Sequence, residues 1–181
     1  MKKIVIILTL SLLPFFASAQ SIESGGIDKF TGKPVVYTSW TSLYTKKAAY
    51  LPDYSFNVSF MLRSENEKVF FHLKWNNGIK SIDKGSSLSF MLSDNSIITL
   101  RATSNFYADI DVYSSTLNRT DSKTIIHAVY EGDRIDLKDD NLITRLRIET
   151  PYGARVYELD KKNAQKISKA YQLIINEINN I

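Results

Sequence analysis

The chain has 181 residues, 44% of them hydrophobic and 23% charged, with a formal net charge of +4 and no cysteine. That apolar fraction and low charge exclude a disordered chain and suit a single domain. The missing cysteines exclude a disulfide framework, a thiolate zinc site, a cysteine-ligated iron–sulfur cluster and a cysteine nucleophile.

Residues 1–20 read MKKIVIILTLSLLPFFASAQ. Lys2 and Lys3 make a positive start, Ile4 to Phe16 an apolar stretch, and Ala17-Ser18-Ala19 a small-residue cleavage site. This is the pattern of a secretory signal peptide over 1–19. The apolar run is short of the roughly 20 residues that cross a bilayer, so no transmembrane span is expected in the mature chain. No cysteine follows the site, so the chain is not read as a lipoprotein. Cleavage leaves about 162 residues with a formal charge of about +2. Such a chain gives no case for nucleic-acid binding, which needs clustered basic charge.

Residues 20–33 are polar, contain Gly25-Gly26, and read as a flexible leader. The body, 34–181, reads as one β-rich domain. Tyr54, Phe56, Val58, Phe60 and Leu62 alternate with polar residues and Met61, as in a half-buried antiparallel strand. Val69, Phe71, Leu73 and Trp75 repeat the pattern, with Lys68, Phe70, His72 and Lys74 on the other face. Asn76-Asn77-Gly78 supplies a tight turn. Leu88, Phe90 and Leu92, then Ile98, Leu100 and Ala102, form a second hairpin across Asp94-Asn95. Residues 106–116, 124–130, 142–149 and 154–159 read as further strands, and Leu137–Asn141 as a short helical turn.

The period then changes. Ile167, Tyr171, Ile174, Ile178 and Ile181 make one stripe of an α-helix over 161–180, with Asp160 as N-cap and Leu159 and Ala164 as a hydrophobic staple. The fold class is therefore mostly β (α+β): an antiparallel sandwich or partly closed barrel with a C-terminal amphipathic helix packed on it.

Catalytic spacing is missing. There is no G-x-S-x-G elbow, S-x-x-K or H-E-x-x-H. His72 and His127 are 55 positions apart, and nothing in the sequence pairs them with each other or with a serine. Asp109 and Asp111 share a strand face without the spaced ligand series of a calcium loop. Glu131, Asp133 and Asp136 decorate a turn. No catalytic residue, metal ligand or cofactor is assigned. Aromatics are more suggestive. Tyr37, Trp40, Tyr44, Tyr50 and Tyr54 crowd one stretch, and flat rings with polar tips suit sugars or a protein partner. Tyr37, Trp40, Tyr44 and Tyr50 are the candidate ligand or partner surface, with core packing as the competing role.

The MKK start, the ASA-Q boundary and LITRLRIETPYGARVYELD (142–160) leading into a helix resemble uncharacterised exported β-rich proteins of Bacteroidota-type bacteria. In outline, strands closed by a C-terminal helix are similar to pleckstrin-homology-like barrels. Both resemblances imply binding or structural roles. The expectation is an exported, non-catalytic binding or interaction module in the periplasm or at the cell surface. Its partner would be an envelope protein, a glycan or an apolar ligand held under the helix, and the chain a monomer or weak homo-oligomer through Leu173 and Ile175. The alternative is an envelope hydrolase with a site assembled around His127.

Overall fold

The computed structural model describes residues 20–46, 56–65, 68–76, 79–116, 119–132 and 141–180; for Phe56 and residues 110–116 and 119–123 only the backbone is described. The leader of 1–19, Tyr50, Tyr54, Asn77-Gly78, Asp133, Asp136, Ile181 and most of Leu137–Asn141 lie outside these residues.

Strict alternation produces the central hairpin, strands β4 (Phe56–Glu65) and β5 (Lys68–Asn76). Their register sets Val58 opposite Trp75, Phe60 opposite Leu73 and Leu62 opposite Phe71. All six are buried, each contributing roughly 1.5–3 kcal/mol of apolar burial. Strand β11 (Arg119–Glu131) extends the sheet beyond β5 and turns Ile126, Ala128 and Tyr130 to the same side. Strand β10 (Asp109–Thr116) folds back on the first part of β11.

The end of β11 pairs with β8 (Ile97–Ala102), and β8 with β7 (Ser87–Leu92). The sheet continues through β12 (Ile143–Ile148) to an edge at β13 (Arg155–Glu158). Strands β6 (Ser81–Ile82) and β9 (Phe106–Tyr107) form a separate short ladder. The large sheet is antiparallel and curls, so that its two halves face each other across one core. Phe71 on β5 meets Phe60 at 5.4 Å and Phe90 on β7 at 5.2 Å. The sheet is not closed into a barrel.

Helix α1 (Lys161–Ile178) packs on β1 (Ile22–Ile27), β2 (Pro34–Thr38), β3 (Thr41–Lys46), β4 and β12, spanning the opening between the halves. Asp160 caps it, its Oδ1 accepting from Asn163 N at 2.7 Å. The stripe of Ile167, Ala170, Tyr171 and Ile174 is buried against the sheet, and Ile175 packs beside it. The helix thus presents its apolar face to the chain's own core, and that packing supplies most of its stability. Among the described residues no helix is long and apolar enough to cross a membrane.

Part of the stretch read as a flexible leader is strand. Ile22–Ile27 forms β1 on β2 (Pro34–Thr38). Its two glycines and polar side chains hide it from periodicity, and backbone pairing supplies the order that side-chain burial does not.

Strands β2 and β3 (Thr41–Lys46) share one edge of β4. Strand β2 pairs with Arg63–Glu65 and β3 with residues 56–60, leaving a gap opposite Met61 and Leu62. The buried Thr38 hydroxyl fills it, accepting from Leu62 N at 3.0 Å. Ser39 and Trp40 form the break between the two strands.

Candidate functional site

The face of the sheet turned away from the core carries an unusual set of side chains. Alternation and register place Met61 and Arg63 of β4, His72 and Lys74 of β5, and His127 of β11 on this side. Lys74 stands directly opposite His127, and His72 is diagonal to it. Antiparallel diagonal neighbours are within reach of long side chains. Nδ1 of His72 lies 3.0 Å from Nε2 of His127, with the ring centroids 5.2 Å apart.

The break between β2 and β3 brings Trp40 onto the same cluster. Its ring meets His127 edge-on at 5.2 Å, and the Lys74 ammonium sits 4.2 Å from its centroid. That is cation–π geometry. Arg63 stacks in the same way on Phe70, at 4.9 Å, and pairs with Glu65 at 3.0 Å. Lys74 has no carboxylate partner among the described residues.

His72 is only 7% exposed although it lies on the outer face, and Met61 beside it is buried too. Burial, then the nearby His127 and Arg63, push the His72 imidazole down to about 4. Burial and the Lys74 charge lower His127 as well. Both rings are therefore neutral at pH 7. Nε2 of His72 is buried and has no partner. The hydrogen-bond pattern then selects the tautomer. Nδ1–H of His72 donates to Nε2 of His127, since the reverse would bury an N–H with no acceptor.

The expected aromatic surface is divided. Trp40 joins the cluster, and Tyr37 is on the outer face opposite Arg63, half-buried. Tyr44 turns inward, its ring 5.1 Å from Tyr157, which also meets Trp75 at 5.6 Å. Tyr50 lies outside the described residues. The histidine pair escaped sequence reasoning. The available signal was one histidine on the outer face of each of two strands; what was missing was the pairing of β5 with β11.

The other candidates stay apart. Glu131 lies 4.0 Å from Lys68, and Asp109 is exposed on β10. Among the described residues no group of three or more His, Asp or Glu is placed to hold a metal. A shallow polar hollow of about 370 Å³ lies beside the β12–β13 turn, lined by Asp83, Ser86, Arg147, Glu149 and Thr150 among others. Hydrogen bonding from Ser87 lowers the Glu149 carboxyl, which suits an ionised structural acceptor more than a proton donor.

No family model, curated protein or solved structure matches this chain.

Proposed function

We propose that the chain is an exported, non-catalytic binding or interaction module of the bacterial envelope, and that it engages its ligand on the outer sheet face around Trp40. The signal-peptide pattern of residues 1–19 supports export to the periplasm or cell surface. The observation that carries the binding reading is the Trp40 ring held between the Lys74 ammonium at 4.2 Å and His127 at 5.2 Å, outside the core. Such rings combine a broad apolar surface with polar tips and dominate recognition surfaces. Nε2 of His127, the nitrogen a general base would offer to a serine, is taken by His72, which favours binding over hydrolysis.

The experiment is a titration of the mature protein with envelope glycan fragments and envelope proteins, followed by NMR. The expected result is a saturable shift of the Trp40 indole resonance, lost in Trp40→Ala, with the buried Trp75 unmoved. A turnover abolished by His127→Ala would replace this reading with the hydrolase. Ligand contacts mapping wholly to other surfaces would remove Trp40 from it.

A further inference from the structure

We propose that the ligand of this face is an anionic saccharide, whose carboxylate or phosphate is received by Lys74 and His127 beside the Trp40 ring. The proposal rests on the binding-module reading and adds the charge of the ligand to it.

Four basic side chains gather here on three adjacent strands: Arg63 from β4, His72 and Lys74 from β5, and His127 from β11. The other described residues on this part of the face are Ser59, Met61, Phe70, Ile125 and Val129, with Tyr37 and Ser42 from β2 and β3. None is acidic. Glu65, the nearest carboxylate along β4, is engaged by Arg63 at 3.0 Å. The Lys74 ammonium lies over an aromatic ring, 4.2 Å from its centroid, and Nε of Arg63 is buried without a partner. The Lys74 ammonium is thus left without a carboxylate partner among the described residues, beside two neutral imidazoles and an Arg63 already paired with Glu65. Such a charge attracts an oxyanion, which pairs well with a cationic N–H. The indole offers a flat apolar surface to a sugar ring at the same place.

His127 makes this electrostatic logic measurable. Burial, and after it the Lys74 charge, holds its imidazole neutral. An oxyanion placed between Lys74 and His127 offsets the Lys74 part of that effect and favours the protonated ring. Ligand capture should then take up a proton, and affinity should rise as pH falls from 8 to 6.

The test uses glucuronate, glucose 6-phosphate, inorganic phosphate and neutral glucose on the mature protein, followed at the Trp40 indole resonance and by calorimetry in two buffers of different ionisation enthalpy. Glucuronate and glucose 6-phosphate should bind saturably with proton uptake, at least tenfold tighter than glucose. Inorganic phosphate should bind more weakly than glucose 6-phosphate, which shows that the sugar contributes. Lys74→Met keeps the side-chain stem and should weaken both charged sugars at least tenfold with the melting temperature unchanged. Equal binding of glucose and glucuronate, or full affinity in Lys74→Met, would overturn the anionic ligand and leave a neutral-ligand module standing. If none of the four probes binds but a protein partner shifts Trp40, the saccharide assignment falls alone. If Trp40 responds to nothing, both readings fall.

Discussion

His72 and His127 share a hydrogen bond of 3.0 Å between Nδ1 and Nε2, from diagonal positions on adjacent antiparallel strands. Burial, with the nearby His127 and Arg63, keeps the His72 ring neutral in the folded chain. His72 has a folded pKa of about 4, against 6.5 when unfolded. Its contribution is fully present above pH 6.5 and is lost as pH falls from there towards 4, where the unfolded chain binds the extra proton. Urea unfolding at pH 7.5 and at pH 5 should differ by about 1–2 kcal/mol on this account. The slope should shrink in His72→Gln, leaving the part that the lowered His127 contributes. An unchanged slope in that variant would assign the pH dependence to other groups.

Thr38 should tolerate serine but not valine. Its hydroxyl receives Leu62 N in the gap between β2 and β3, and both groups are buried. Thr38→Val leaves that N–H without an acceptor and should cost about 1–3 kcal/mol. Thr38→Ser keeps the acceptor and should recover most of it. Equal losses would show that the methyl, not the hydroxyl, holds the gap together.

The helix is part of the core, so truncating its buried stripe should affect the whole domain. Ile174 is fully buried, and Ile174→Ala should cost about 2–5 kcal/mol in a single cooperative transition. Asp160→Ala removes only the cap and should cost about 1 kcal/mol. A separate early transition of the helix in circular dichroism would contradict this shared core.

Gly132 follows β11 where the backbone runs close to β8. A Cβ there would lie 2.5 Å from Leu100 Cδ2 and 3.3 Å from Thr99 O. Leu100 is itself buried and has little room to retreat. Gly132→Ala should lower stability by about 1–3 kcal/mol, read as a shifted denaturant midpoint.

Legibility followed side-chain burial. Strands β4 and β5 alternate over whole elements, and the α1 stripe repeats with helical spacing, so both were visible in the sequence. Asp160 was visible as a cap because its residue type and position agree. Strand β1 was not, since in IESGGI two isoleucines flank Glu, Ser and two glycines without alternation, and the strand is ordered by its partner. His72 alternates onto the outer face, and its burial depends on neighbours brought there by long-range pairing and by the break at Trp40. Trp40 itself belonged to an aromatic run whose members take opposite faces, with Tyr44 turned towards Tyr157. A one-residue shift across an irregular strand reverses such a choice, and composition does not reveal it.

The bond from Lys166 Nζ to the Ser42 carbonyl, 2.7 Å long, joins residues 124 positions apart. It states in one contact the order of events open to the chain. Hairpins such as β4–β5 can form early, because their partners are close in sequence. The curled sheet they build keeps an uncovered apolar side until α1 has been synthesised and has returned across β2, β3 and β4. Folding should therefore be slow for a domain of this size. During the wait the unfinished sheet is sticky, and keeping it from associating with other chains is a task for the cell rather than for the sequence.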